Sequence, residues 1–341
     1  MALGVPQMRL DISPEDSATS LAAAPHRRLS AQDGALLRLG AFLRDQNYRF
    51  TTPTPLTHSR IVQRSTVAGG SLTRIFGWSL PFSANDLPAP ALRDLAEAKA
   101  LARCGELLRS TVRFSTLDGQ IYAHSAYPTD ASDSVFFGPD TYRFARCIRW
   151  VLGAQAPAHA PRRIVDIGCG SGAGGIFAAS LMGPGVELAL ADINPQAVRY
   201  ARINAALNGF AGAQAVRSDL FQDAQGPFDY ILANPPYLID DFQRLYRHGG
   251  GDLGITLSLD IVRDGIPRLR ENGALLLYTG APIIGGVDRF LAAVTPILKA
   301  FPVSFDYEEV DPDVFGEELE RPAYQHVDRI AAVFLTIKRE G

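Results

Sequence analysis

The chain has 341 residues, of which 47% are hydrophobic and 20% are charged, a composition typical of a globular protein with one to three domains. Lys and Arg number 33 against 36 Asp and Glu, giving a formal charge of −3, so no overall basic field attracts a polyanion. A nucleic-acid partner would need a local basic patch. Because no run of 18 apolar residues and no apolar leader is present, we expect a cytoplasmic protein without a membrane span.

The three cysteines have no paired spacing, and the histidines lie far apart in the sequence. Disulfide frameworks and zinc sites need closely spaced ligands, so we expect reduced thiols and no metal. Nothing in the sequence indicates an oligomeric state.

Residues 1–28 mix Pro, Ser, Asp, Ala and Arg without a period, which predicts a disordered tail. Residues 29–130 are predicted to form an accessory domain. Ser30 is placed to cap a first helix, a second helix is expected over Pro90–Leu108, and Asp118-Gly119 predicts a hairpin turn. Helices followed by a hairpin resemble a small winged-helix-like module. Substrate recognition and packing against a catalytic domain are equally open as its role.

Residues 131–341 alternate predicted strands and helices, which indicates an α/β fold with a parallel sheet covered on both faces. The seven strands are expected at Ile164–Ile167, Val186–Ala191, Ala215–Ser218, Tyr230–Ala233, Ala274–Tyr278, Val303–Glu308 and Ala331–Ile337. Only a polar stretch, Asp311–Arg329, separates the last two, so they are expected to pair antiparallel. The fold class is therefore a doubly wound, seven-stranded, Rossmann-like sheet that ends in an antiparallel edge hairpin.

A glycine-rich loop follows the first of these strands. Gly168, Gly170 and Gly172 permit a tight turn and a close approach of the backbone to a ligand at the carboxyl end of the strand. Asp192 ends the next strand, where its carboxylate can accept hydrogen bonds from both ribose hydroxyls of an adenosine group. The loop also fits the pattern of nicotinamide-cofactor proteins, so a dehydrogenase remains open at this point.

Two later motifs favour a different chemistry. Asp219, after the third strand, can accept the amine of an adenine ring. Asn234-Pro235-Pro236-Tyr237 ends the fourth strand, and its two prolines hold the backbone extended. The Asn side chain and the Pro235 carbonyl can then face one point and hold the two hydrogens of a planar NH2 group, on which Tyr237 can stack. This pattern predicts N-methylation of an amide or amine.

The motifs DIGCGSGAGG, ADINPQAV, SDLF and FDYILANPPY resemble those of the small methyltransferase-domain group of class I S-adenosylmethionine-dependent methyltransferases. That group includes release-factor glutamine methyltransferases and N6-adenine and N2-guanine RNA methyltransferases. The resemblance covers roughly residues 134–338 and implies S-adenosylmethionine as cofactor. The resemblance implies that Gly168, Gly170 and Gly172 line the methionine part of the cofactor, with Asp166 beneath the loop. It also implies that Asp192 binds the ribose and Asp219 the adenine. The acceptor would be held by Asn234, Pro235, Pro236 and Tyr237.

The acceptor is the open question. In the segment that resembles the proline-rich motif of the glutamine methyltransferases, only Pro139 and Thr141 match. Five acids between Asp311 and Glu320 are expected near the rim of the site, where they would repel phosphates. Six arginines (Arg60, Arg64, Arg74, Arg103, Arg109 and Arg113) could instead grip a nucleic-acid backbone, but a solvated scatter is the simpler interpretation.

A protein glutamine or a small molecule is therefore the favoured methyl acceptor. The alternative is an N6-adenine or N2-guanine methyltransferase acting on RNA or DNA. A regulatory protein that binds S-adenosylmethionine without turnover is a third hypothesis, against which the intact NPPY motif argues.

Overall fold

The computed structural model describes residues 29–64, 66–153, 162–240, 245–251 and 253–341. The predicted tail, 1–28, lies outside the described residues. In the parts of the chain that are described, no helix combines the length and the apolar character needed to cross a membrane.

The described part of residues 29–130 contains three α-helices, a short π-helix (Thr73–Gly77), a 3-10 turn (Ala84–Asp86) and two separate hairpins. The helices are α1 (Ala31–Asp45), α2 (Pro55–Val62) and α3 (Ala89–Glu97), and the hairpins pair β1 (Leu101–Cys104) with β2 (Leu107–Ser110) and β3 (Val112–Leu117) with β4 (Gln120–Ser125). Ser30 caps α1 as predicted, because its hydroxyl accepts the Asp33 N–H at 3.1 Å. Asp118 and Gly119 both take positive φ in the turn of the second hairpin, as predicted.

The helix predicted over Pro90–Leu108 is wrong in its second half. The helix α3 ends at Glu97, and Lys99 takes a left-handed φ of 55°. The chain then turns back at Gly105 (φ 61°) to form the first hairpin. Leucines at helical spacing suggested one helix, but a central glycine disfavours a helix and suits a turn.

The main sheet contains all seven predicted strands. They are β5 (Arg163–Ile167), β6 (Glu187–Asp192), β7 (Gln214–Arg217), β8 (Phe228–Ala233), β9 (Leu269–Ile284), β11 (Val303–Asp311) and β12 (Arg329–Arg339), and the two-residue β10 (Val287–Asp288) pairs with β9. The order across the sheet is β11-β12-β9-β8-β5-β6-β7. Strands β5 to β9 run parallel, and β12 is antiparallel to both neighbours. The predicted doubly wound fold with an antiparallel edge is confirmed.

Helices cover both faces of this sheet. They are α4 (Pro139–Leu152), α5 (Ala173–Met182), α6 (Pro195–Leu207), α7 (Thr256–Gly265) and α8 (Arg289–Leu298). Ile164 points into the core beneath α4 and α5, while its neighbour Val165 points into the opposite core beneath α7 and α8. This alternation is expected for a strand buried on both faces.

The stretch between β11 and β12 contains more structure than its polar sequence suggests. Two short 3-10 turns, Gly316–Glu320 and Pro322–Tyr324, follow β11. Tyr324 is 1% exposed and Glu318 is 4% exposed, so this segment packs against the domain as part of its core.

The accessory region shares a hydrophobic core with α6. Buried Leu36 and Leu39 of α1 belong to the same cluster as Ile203 and Leu207 of α6. The Asn204 side chain also accepts the Ala123 N–H at 2.8 Å and donates to the Ala123 carbonyl at 2.9 Å, pairing the edge of β4 as another strand would. The division into domains at residues 29–130 and 131–341 stays a prediction.

Candidate active site

A cavity of about 470 Å³ opens at the carboxyl ends of the parallel strands, where doubly wound sheets bind their ligands. Nine of the ten predicted site residues line it: Asp166, Gly168, Gly170, Asp192, Asp219, Asn234, Pro235, Pro236 and Tyr237. The tenth, Gly172, does not. It begins α5 with φ 79°, and a Cβ on it would lie 3.3 Å from Ala201. Gly172 therefore allows α5 and α6 to pack closely.

The glycine loop presents bare backbone to the cavity. Gly168 and Gly170 have φ of 66° and 54°, a left-handed conformation that favours glycine. A Cβ on Gly170 would meet no atom within 4 Å, and one on Gly168 would lie 3.9 Å from the Cα of Pro235. The cofactor loop and the NPPY turn are thus immediate neighbours.

Asp166 lies under this loop and is 2% exposed. One carboxylate oxygen accepts the Gly175 N–H at 2.8 Å, near the start of α5. Burial, with a smaller contribution from the nearby Asp192, raises the pKa of Asp166 to about 7 against the opposing effect of the Gly175 bond. The carboxyl group orders the loop and also reaches the cavity wall.

Asp192 is held by two backbone amides. Its oxygens accept the N–H groups of Gly170 at 2.8 Å and Asn194 at 2.9 Å. Burial raises the pKa of Asp192, and these two bonds oppose the increase. Each oxygen keeps a lone pair for a further donor, so the fixed carboxylate suits a pair of adjacent hydroxyls.

Apolar side chains near Asp192 were not anticipated from the sequence. Ile193, which is 45% exposed, and Leu220 line the same part of the cavity. Exposed Asp219 lies beside Leu220 on the cavity wall. Together they provide flat apolar surface with a carboxylate at its edge, which suits a purine ring. The only signal in the sequence was that each apolar residue lies two positions after the end of a predicted strand.

These residues fit S-adenosylmethionine. Gly170 leaves open space that a side chain would fill, and Asp192 offers two preordered acceptors. Exposed Asp219 adds negative charge near a cationic ligand.

The NPPY turn closes the other half of the cavity. Asn234 is half-buried at the end of β8, and no hydrogen bond joins its carboxamide to another described residue. It is available to a ligand. Pro235 lies next to the glycine loop, so a group held at this turn would face the cofactor half of the cavity.

Tyr237 is fixed by a buried carboxylate that the sequence analysis did not assign. Its hydroxyl donates to Asp140 at 2.8 Å, and Tyr278 donates to the other oxygen of Asp140 at 2.9 Å. Arg143 also pairs with Asp140, at 3.0 Å. Burial raises the pKa of Tyr237 and of Asp140. A Cβ on Gly280 would overlap the Tyr237 ring, which shows how closely the ring packs there.

Three further aromatic rings surround the acceptor half. Phe136 and Tyr246 lie nearly parallel, with centroids 5.8 Å apart, and Phe315 meets Tyr237 edge-on at 5.9 Å. All three line the cavity. They come from separate loops, so no local pattern marked them as a group.

The expectation of a repulsive acidic rim needs correction. Asp311 pairs with Arg143 at 2.9 Å, and buried Glu318 pairs with Arg247 and Arg321. Of the five acids, only Glu317 lines the cavity. Two of the five acids are thus ion-paired and four do not line the cavity, so the loop does not exclude a phosphate-bearing substrate.

Comparison with known proteins supports the class that the fold and site indicate. Residues 151–281 match the family described as methyltransferase small domain. The ribosomal RNA small subunit methyltransferase C of Cronobacter sakazakii is 31% identical over 133 residues, covering 38% of this chain and 34% of that protein. The Klebsiella pneumoniae protein of the same name is 30% identical over 125 residues, covering 36% of this chain and 32% of its own length.

The chain therefore spans about a third of the length of these curated relatives. Among solved structures, the tRNA m1G37 methyltransferase of M. jannaschii is 14% identical and covers 68% of this chain and 57% of its own, with a TM-score of 0.45.

These matches agree with the class of S-adenosylmethionine-dependent methyltransferases that the sequence predicted, and the dehydrogenase alternative is set aside.

Proposed function

We propose that this protein transfers a methyl group from S-adenosylmethionine to the exocyclic amino group of a purine base in ribosomal RNA. This replaces a protein glutamine or small molecule as the favoured acceptor. The observation that carries the proposal is the unpaired Asn234 carboxamide beside the glycine loop, in a cavity half surrounded by aromatic rings. The relatives that methylate small-subunit ribosomal RNA support the same choice.

The chemistry follows from the placement of these groups. Bound S-adenosylmethionine would supply an electrophilic methyl on a sulfonium, whose S–CH3 bond breaks as the N–CH3 bond forms, so that a neutral thioether is the leaving group. The Asn234 carboxamide oxygen and the Pro235 carbonyl accept the two hydrogens of the amino group and direct its lone pair towards the glycine loop. As the nitrogen attacks, it gains positive charge, and both acceptors bind it more strongly in the transition state than in the ground state.

The aromatic rings hold the base. A purine offers two flat faces, and stacking on aromatic side chains is the common way in which proteins bind an unpaired RNA base. Tyr237 is fixed by Asp140, so its ring does not need to be ordered when the base enters. The expelled proton leaves late, after the nitrogen has become cationic, and no strong base is required.

The test is methyl transfer from tritiated S-adenosylmethionine to ribosomal RNA isolated from cells that lack the protein. Mass spectrometry of the digested RNA should detect one methylated guanosine or adenosine, and it identifies which of the two is formed. Asn234→Ala is the matched control. Label in protein or in small molecules, with none in RNA, would refute the proposed acceptor. Cofactor binding without any transfer would support the non-catalytic alternative.

A further inference from the structure

The accessory region contains a long segment without acids. Residues 46–85, called here the acid-free segment, hold no Asp or Glu and four arginines (Arg49, Arg60, Arg64 and Arg74), in a chain whose net charge is −3. Such a run concentrates positive charge locally although the protein as a whole is acidic. The acid-free segment is therefore a local basic patch of the kind that a nucleic-acid partner would need on a protein with a net negative charge.

These four arginines are all exposed, and none forms an ion pair with a described carboxylate. Elsewhere on the surface, arginines such as Arg38, Arg149 and Arg263 pair with acids at 2.5–2.7 Å. The charge of the acid-free segment is therefore available to an external anion.

The six arginines named from the sequence do not act as one group. Arg113 is 4% exposed and donates to the Gly77 carbonyl at 2.7 Å and to His58 at 2.9 Å. Arg103 and Arg109 lie opposite Leu108 and Ala102 in the first hairpin, so they point to opposite faces. Arg60, Arg64 and Arg74 remain from that set.

The acid-free segment begins at the mouth of the cavity. Pro55, the first residue of α2, lines the cavity together with Thr129 and Phe136. Arg60 follows on the same helix, about 7–8 Å further along its axis. Arg64 continues its last turn, since its N–H donates to the Ile61 carbonyl at 3.1 Å. A strand leaving the cavity along α2 would meet these two guanidinium groups in turn.

Arg113 also makes the segment rigid. Its guanidinium joins His58 on α2 to the Gly77 carbonyl at the end of the short π-helix that carries Arg74. His58 stacks on Tyr127, with centroids 4.0 Å apart. Burial and the Arg113 charge lower the pKa of His58 to about 4, so the imidazole stays neutral. The exposed arginines are thus held on an ordered surface.

We propose that Arg60 and Arg64, with Arg74 on the π-helix that Arg113 joins to α2, bind the phosphate backbone of the RNA whose base enters the cavity. This inference rests on the proposed function. Guanidinium groups form bidentate hydrogen bonds with phosphates. Contacts with the phosphate backbone fix the position of a nucleic acid without reading its sequence. The exposed hydroxyl of Thr57 at the start of α2 adds a further donor, since the Thr54 hydroxyl donates to Thr57 at 3.1 Å.

The test measures RNA binding by the full chain, using a fluorescein-labelled RNA hairpin and fluorescence anisotropy over a series of KCl concentrations. Arg60→Gln/Arg64→Gln should weaken binding and reduce the slope of log affinity against log salt by about 1.4–1.8, because two phosphate contacts are lost. The control, Arg263→Gln/Lys299→Gln, loses the same charge at exposed positions that do not line the cavity. Thermal unfolding and S-adenosylmethionine binding confirm that both variants are folded.

Failure to bind RNA in the wild type would overturn the inference, as would an unchanged slope in the first variant or an equal loss in the control. Loss of poly-glutamate binding with unchanged RNA binding would assign the surface to an acidic protein instead. Methyl transfer is scored separately. If RNA binds through Arg60 and Arg64 but receives no methyl group, the inferred RNA-binding surface is supported and the proposed reaction is refuted.

Discussion

Tyr237→Phe and Tyr278→Phe form a matched pair that tests whether Asp140 positions the acceptor clamp. Each substitution removes one tyrosyl hydrogen bond to the same buried carboxylate, at 2.8 and 2.9 Å. A hydrogen bond to a charged group contributes about 1.5–3 kcal/mol. We therefore expect both variants to lose a similar free energy of unfolding. Only Tyr237 lines the cavity, whereas Tyr278 lies behind it in β9.

The two variants should differ in activity. Without its anchor the Tyr237 ring can shift, and a displacement of about 1 Å at a reacting group costs up to about 100-fold in rate. Because Phe315 and Gly280 still hold the ring, we expect turnover by Tyr237→Phe to fall about 10-fold to 100-fold, or about 1.4–2.7 kcal/mol. Tyr278→Phe should stay within about threefold of the wild type.

The assay combines urea unfolding with single-turnover methyl transfer to RNA, at a saturating cofactor concentration. Calorimetric titration with S-adenosylmethionine should give the same dissociation constant for both variants, since neither hydroxyl contacts the glycine loop. Equal losses of turnover would show that Asp140 acts only on stability. Wild-type turnover in a Tyr237→Phe protein that is measurably less stable would refute the positioning role.

Asn234→Ala should leave the dissociation constant of S-adenosylmethionine nearly unchanged while turnover falls about 10²–10³-fold, the effect of removing one preorganised polar partner; wild-type turnover on the methylated RNA would remove the NPPY clamp from the mechanism. Asp192→Ala should weaken cofactor binding by about 1.5–3 kcal/mol per lost charge-assisted bond, and an unchanged calorimetric affinity would show that Asp192 does not hold the ribose. The pKa of Asp166 is raised from 3.8 to about 7, so the folded state keeps a proton that the unfolded chain releases. The contribution of Asp166 to the free energy of unfolding therefore falls by up to about 4 kcal/mol as pH rises from 4 to 7. Asp166→Asn should remove that part of the pH dependence in urea titrations, and identical slopes in wild type and variant would contradict the raised pKa.

The sheet and the cofactor half of the site were predictable because their signals are local. Each parallel strand is a short apolar run, and Asp192 and Asn234 end two of these strands. Since parallel strands end at the same edge of a sheet, residues far apart in sequence could be placed together. Glycines at positions that need a positive φ add a second local signal.

The acceptor half depends on contacts that no local pattern reveals. Asp140 reaches Tyr237 across 97 residues of sequence, and Phe136, Tyr246 and Phe315 come from three different loops. The charge at the rim of the site was predicted wrongly for the same reason. The sequence shows acids after β11 but not the arginines that pair with them, which α4 and two other segments supply.

The helix α6 contacts both the accessory region and the segment that holds Asp192. Its N-cap residue, Asn194, donates to the Asp133 carbonyl at 2.8 Å, and the Asn194 backbone N–H is one of the two amides that hold Asp192. Further along the helix, Asn204 and Leu207 pack against the accessory region. One helix therefore connects the accessory region to the carboxylate assigned to the ribose. The RNA-binding surface proposed on α2 belongs to the accessory region. RNA and cofactor would therefore be held by one continuous part of the protein, and the RNA backbone bound along α2 would have a fixed position relative to the methyl donor.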